Sequence, residues 1–354
     1  MKTNEEIKSY GLTSLNGDYK KYLIYLLENE YEFSKNKDKA EHACSELLIK
    51  LQASDVIVYD ECESECKIYN DPDNKKNDKF YSDLSNFLNA ARISRNNKKI
   101  LSFKANEDPY GMITAYYKDK KGEEHHFTLH SDQFGFSAVP CTYFKQNYPL
   151  SRYLEMQKNK SENDQAKAAE FLTKYVYTTR TLGGSFLWPE IWHRDYNMGR
   201  GNRSYIEDRV DLTLLEIKHY FEYRDLDDKK KFKYRRDLLF SRYKIPDAQT
   251  WFGFFDSFED YVDFFMFNDF VDKDKQTKEY MPINILTGEA FEKGYLNYET
   301  NTLKKIEDEN QLKEMLDLVM RKVKARSVDM EKLIAKYNQT NDTKGEKHEN
   351  ILHE

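Results

Sequence analysis

Arginine is the residue whose placement points most directly to chemistry. The chain carries 14 arginines against 42 lysines, and nine of the 14 fall between Arg180 and Arg242. These are Arg180, Arg194, Arg200, Arg203, Arg209, Arg224, Arg235, Arg236 and Arg242. A planar guanidinium grips a carboxylate or phosphate with two parallel bonds, whereas a lysine ammonium acts as a point charge. The window also holds 5 lysines and 11 acids, so it nets +3 and leaves −9 for the rest of a −6 chain.

Within that window the segment Met198-Gly199-Arg200-Gly201-Asn202-Arg203-Ser204 leads directly into an amphipathic stretch. Ile206, Val210, Leu214, Ile217 and Phe221 recur at helical spacing, which predicts a helix over 205–221. Ser204 stands as N-cap with Glu207 three residues on, the pattern of a capping box. A helix N-terminus offers free N–H groups and partial positive charge, and glycine lets backbone approach a ligand. Arg200, Gly201 and Arg203, assisted by Arg180 and Arg209, thus make a candidate site for phosphate or carboxylate. The spacing is neither a Walker loop nor a dinucleotide fingerprint. The competing reading is structural: Asp208 favours the helix dipole, and Arg209 pairs with an acid such as Asp260 or Asp263.

Other constellations carry less. Asp208 and Asp211 are i, i+3 on the predicted helix and His193 precedes the loop, so these three are the candidate catalytic groups. An acid-rich first turn is also ordinary helix chemistry, so no metal set is assigned. Cys62 and Cys66 are separated by three residues, a poor zinc spacing, and Cys44 and Cys141 lie far away. His126 and His130 share one face of a predicted strand, with His125 on the other, and are read as hairpin residues. Ser131 has no recognisable His/Asp relay. No cofactor is identified.

These residues must be positioned by regular elements. Helices are expected over 18–33, 38–52, 78–90 and 160–175, with a strand over 55–59 and loop chemistry over 70–77. Met112–Tyr117 and Glu124–Leu129 flank a glycine-containing loop and predict a β-hairpin. Residues 251–270 hold ten aromatics in twenty positions, interrupted by acids, and read as one core helix. Leu312, Leu316, Val319 and Val323 place a long amphipathic helix or helix pair over 303–337, whose spacing suits packing on its own domain as well as self-association or a protein partner. The expected fold class is α+β, mainly α-helical, with a small antiparallel β-hairpin/sheet element.

Composition sets the outer limits. With 354 residues, 39% hydrophobic and 33% charged, the chain is neither collagen-like nor a disulfide scaffold. A net charge of −6 excludes a globally basic nucleic-acid coat. No apolar run approaches a membrane span, and residues 1–10 do not read as a secretory signal. Four thiols without an export signal predict a cytoplasmic protein.

Beyond these physical readings, several motifs belong together. They are Thr181-Leu182-Gly183-Gly184, Trp188-Pro189, Arg200-Gly201, the run Ile206 to Leu214, and Phe254-Phe255, Phe258, Tyr261-Val262 and Phe264-Phe265. Through them the chain resembles a bacterial family of unknown function over about residues 67–290, with fainter echoes at Asp71-Pro72-Asp73 and Leu129-His130-Ser131-Asp132. His130 replaces the small hydroxyl residue the family carries there. The resemblance implies a shared core over 67–292 with additions at both ends; periodicity reads these as a helical extension over 1–66 and a helical segment over 293–337, and polarity reads 338–354 as a disordered tail. It implies no chemistry. Two functions stay open. One is binding of, or action on, a phosphate-bearing ligand, with a nucleotide or nucleic acid as partner. The other is a non-enzymatic interaction protein, of the phage-defence or accessory kind, whose Arg/Asp set is a buried network.

Overall fold

The computed structural model describes residues 75–105, 113–134, 159–179, 181–189, 209–224, 246–274, 277–292 and 308–349, with isolated positions 153, 156, 157, 226 and 243. The helices expected over 18–33 and 38–52, the strand over 55–59 and the capping box at Ser204/Glu207 lie outside these residues.

The hairpin expectation holds and is the middle of something larger. Strands β1 (Ile100–Ala105), β2 (Ile113–Lys118), β3 (Glu124–Gln133) and β4 (Ser185–Pro189) form one antiparallel sheet in that order. The register pairs Lys118 with Glu124, Ile113 with Leu129 and His130 with Trp188. A second, two-stranded antiparallel sheet pairs β5 (Val271–Lys273) with β6 (Tyr280–Pro282). The fold is therefore α+β with two sheets, which corrects the expectation of a mainly helical protein with a small hairpin element. The two missed strands of the larger sheet lack alternation. All five residues of β4 are buried, and β1 carries an irregularity between Ile100 and Ser102 that breaks its period.

Helix α1 (Lys75–Ser94) begins within the expected loop and packs against β1. Asn89 closes the sheet edge in the manner of a neighbouring strand: its Nδ2 donates to Phe103 O at 2.8 Å and its Oδ1 accepts Phe103 N at 3.0 Å. Tyr81 Oη and Ser131 Oγ share a hydrogen bond at 2.8 Å between α1 and β3. Helix α2 (Glu162–Thr179) runs four residues beyond its predicted end and passes into a 3-10 turn at Leu182–Gly184.

Helix α3 begins at Val210 and runs to Arg224, five residues later than expected, because Arg209 is non-helical. Every residue from Val210 to Phe221 is buried. It is a helix with no solvent face, so its polar side chains need partners within the protein.

The aromatic run is not one helix. Helix α4 (Pro246–Gly253) stops at a glycine, Ser257 accepts Asp260 N to cap α5 (Phe258–Phe264), and a 3-10 turn at Asn268–Phe270 delivers the chain to β5. The breaks let rings converge from several directions. Trp251 lies edge-on to Phe103 and Phe127 of the sheet and to Phe254 and Phe255 of its own segment.

Helix α6 (Glu309–Glu349) extends through most of the expected disordered tail. Leu312, Leu316, Val319 and Val323, whose spacing fits a partner surface and intramolecular packing alike, are buried within the chain's own core. Arg326 follows on the same helix, only 2% exposed. Its Nη1 donates to Gly183 O at 2.8 Å and Ser185 O at 2.9 Å, its Nε donates to Phe265 O at 2.8 Å, and its guanidinium sits 3.9 Å over the Phe267 ring. Gly183 makes this approach possible: a Cβ there would lie 2.3 Å from Val323 O. Among the described residues no helix is long and apolar enough to cross a membrane.

Candidate functional site

The start of α3 is where the candidate residues and the described structure meet. The Arg209 carbonyl accepts Thr213 N at 3.0 Å, the first helical bond, so Arg209 occupies the N-cap position. That placement turns its side chain back over the first turn. Its Nε donates to Asp211 Oδ1 at 2.9 Å and its Nη2 to Asp211 Oδ2 at 2.7 Å, a bidentate pair. Nη2 also reaches Asn284 Oδ1 at 3.3 Å, and Asp211 Oδ2 accepts Ile285 N at 3.0 Å. Asn284 Oδ1 accepts Leu286 N at 3.0 Å as well. The cluster thus clasps the turn after β6 to the N-terminus of α3. Arg209 and Asp211 are both 0% exposed.

This arrangement bears on each candidate role. The Arg209 fork is occupied by a carboxylate. Both Asp211 oxygens already accept hydrogen bonds, three in all, which leaves the buried carboxylate little capacity for a metal shared with Asp208. The pairing is with Asp211 and not with Asp260 or Asp263. Asp263 instead meets Arg95 at 2.8 Å and accepts from Tyr280 Oη at 3.2 Å, while Asp260 accepts Asp256 N. Arg180, His193, Arg200, Gly201, Arg203 and Asp208 lie outside the described residues. Arg209 and Asp211 are therefore the two candidates the structure brings together. Among the described residues no group of three or more His, Cys, Asp or Glu side chains converges as a metal site.

Arg224, at the other end of α3, is the second described arginine of the window. Its Nη1 donates to Phe252 O at 3.2 Å and Phe255 O at 3.1 Å, its Nη2 donates to Asp256 O at 2.8 Å, and its guanidinium lies 4.7 Å over Phe221. Between the ends, Lys218 meets Glu279 at 2.9 Å and Glu222 at 3.0 Å. Burial alone would depress its pKa, but the two carboxylates outweigh it and the ammonium is held charged above its ordinary value. Tyr243 Oη donates to Glu216 Oε1 at 2.8 Å and stacks on Tyr220 with ring centroids 4.4 Å apart.

A further buried polar group lies on the sheet. Trp188 Nε1 donates to Asp132 Oδ2 at 2.9 Å, and Asp132 is buried. His130, two residues before Asp132 on the same face of β3 and opposite Trp188, has its pKa pushed down to about 4 by burial, so it is neutral at pH 7. Sequence reading did not assign Asp132 or Trp188 a role. The available signal was that both lie in motifs carrying the resemblance, at Leu129–Asp132 and Trp188-Pro189. His126 stays exposed beside Tyr116, and His125 meets Asp119 at 3.3 Å.

No curated protein and no solved structure matches the chain. A family of unknown function, DUF6994, matches residues 63–312, well over half of the sequence, and the chain belongs to that family.

Proposed function

We propose that this chain is a non-enzymatic interaction or structural protein, a phage-defence or other accessory component, whose Arg/Asp set at the start of α3 is framework. One observation carries the reading: the Arg209 fork is fully buried and spent on Asp211, which in turn holds the Ile285 backbone. Arg224 supports it, since its guanidinium is spent on three backbone carbonyls. Arginine is favoured over lysine in such places because its fixed fork satisfies several acceptors at once. Native mass spectrometry of the purified chain tests the proposal. A bare chain, or one carrying a protein partner, is expected. A retained nucleotide or oligonucleotide mass would overturn it.

A second reading is favoured by the arginine concentration itself. Seven of the nine arginines between Arg180 and Arg242 lie outside the described residues, and Arg200, Gly201 and Arg203 stand six to nine positions before Arg209. In this reading they grip the phosphate of a nucleotide or nucleic acid, with His193 and Asp208 near the bound group. Arg200→Lys would then keep the melting temperature and lose binding, since the fork and not the charge is needed. Unchanged nucleotide or oligonucleotide binding by that variant would end this reading.

A further inference from the structure

An open groove of about 640 Å³ runs between α2 and α6. Most of its lining residues are polar by name, yet its wall is almost entirely carbon. The hydrogen bonds explain this. Thr178 Oγ1 donates back to Lys174 O at 2.8 Å, and Thr181 Oγ1 donates to Thr178 O at 2.8 Å. Ser327 Oγ accepts Gly183 N at 3.0 Å and shares a hydrogen bond with Thr181 Oγ1 at 2.9 Å. The hydroxyls turn into the frame, which leaves methyl groups and lysine stems as the wall. Val328 sits in this groove at 47% exposure and, with Ile93, is one of two exposed large hydrophobics among the described residues.

The rim carries more cations than acids. Lys174 and Lys324 are exposed, and neither ammonium lies within ion-pair reach of a carboxylate among the described residues. Beyond the lining on the same face of α6, exposed Arg321 stands one turn before Lys324 and exposed Glu331 one turn after Val328. Glu170, the acid of the lining, is engaged in an interaction of its own. An apolar strip between two helices, bracketed by lysines that form no ion pair among the described residues, suits one partner chemistry well. It is an amphipathic helix that lays an apolar side chain in the groove and carboxylates on the rim.

We propose that the α2–α6 groove receives an acidic amphipathic helix of a partner protein, seated on Val328 and flanked by Lys174 and Lys324. This rests on the interaction reading above and names the surface and the partner. The probe is a fluorescein-labelled synthetic helix of about 18 residues with leucines at i, i+3, i+4 and i+7 set among glutamates. A copy with lysines replacing the glutamates is the control. Fluorescence anisotropy is expected to show saturable binding of the acidic peptide only. Lys174→Glu/Lys324→Glu and Val328→Asp should each weaken it about tenfold or more, while Ile93→Asp leaves it unchanged. All three variants change exposed side chains, so folding is not at stake.

The proposal is overturned by equal affinity for both peptides, by indifference to the lysine reversals, or by no saturable binding at about 1 mM peptide. Lysine-dependent sedimentation with phosphatidylglycerol vesicles, while the acidic peptide stays unbound, would assign the rim to lipid headgroups and also overturn it. The two readings fail separately. A partner that still co-purifies with Lys174→Glu/Lys324→Glu rejects the groove and leaves the interaction reading standing. A retained nucleotide rejects the interaction reading itself.

Discussion

Burying two opposite charges costs desolvation at both, and the cost is recovered only where the geometry is close and the remaining lone pairs are satisfied. Arg209 and Asp211 meet that condition through a bidentate contact completed by Asn284 and the Ile285 amide. His130 meets burial differently, by staying neutral with a pKa of about 4. An unfolded histidine titrates near 6.5, so below that pH the unfolded chain takes up a proton that the folded chain refuses. The stability tied to neutral His130 is complete above pH 6.5 and is lost as pH falls toward 4. Thermal melts at pH 7 and pH 5 should therefore separate less in His130→Gln than in wild type; equal separation would contradict this. At this scale the sequence made Arg209 and Asp211 legible as marked residues, since arginine is scarce. Their pairing was not legible, because a helix starting near Ser204 would have turned Arg209 toward other acids. A start at Val210 folds it onto Asp211.

At the scale of elements, close approach decides what each segment tolerates. The 3-10 turn at Leu182–Gly184 lies under α6 and beside the end of α2. A Cβ on Gly184 would stand 2.0 Å from Thr179 O, and one on Gly183 would stand 2.3 Å from Val323 O. Both obstacles are backbone and cannot rotate away. Gly183→Ala should cost about 3 kcal/mol, the upper end for overpacking, read as a lowered midpoint in urea denaturation. A midpoint within error of wild type would show that α6 does not press on this turn. The hairpin was legible because β2 and β3 flank a glycine loop and alternate along part of their length. β4 was not, because a strand buried on both faces has no period to read. The aromatic run misled for a related reason. Ring spacing allowed a helix, but Gly253, Ser257 and the positive φ of Met266 cut it into pieces that surround Trp251.

Across the whole molecule, α6 is the member whose role changes most. Its apolar stripe, whose spacing left partner contact and internal packing both open, is internal, and Arg326 fastens it to the sheet and to the aromatic segment. Burial lowers the Arg326 pKa to about 9, and carbonyl oxygens and ring faces hold the cation there. Arg326→Met keeps the apolar stem and removes the donors, so it should destabilise by about 1–3 kcal/mol in chemical denaturation, with the oligomeric state unchanged. A variant as stable as wild type would mean α6 is held by its apolar stripe alone.

On the interaction reading, the arginine marked at the start of α3 belongs to the frame. Equilibrium urea unfolding of Arg209→Ala against wild type tests it most directly. Removing one partner strands a fully buried Asp211 carboxylate, so a loss of about 3–5 kcal/mol is expected, with the Asp211→Asn/Arg209→Ala double variant recovering part of it. An unfolding midpoint equal to that of wild type would contradict the claim and return Arg209 to the set of ligand-binding arginines.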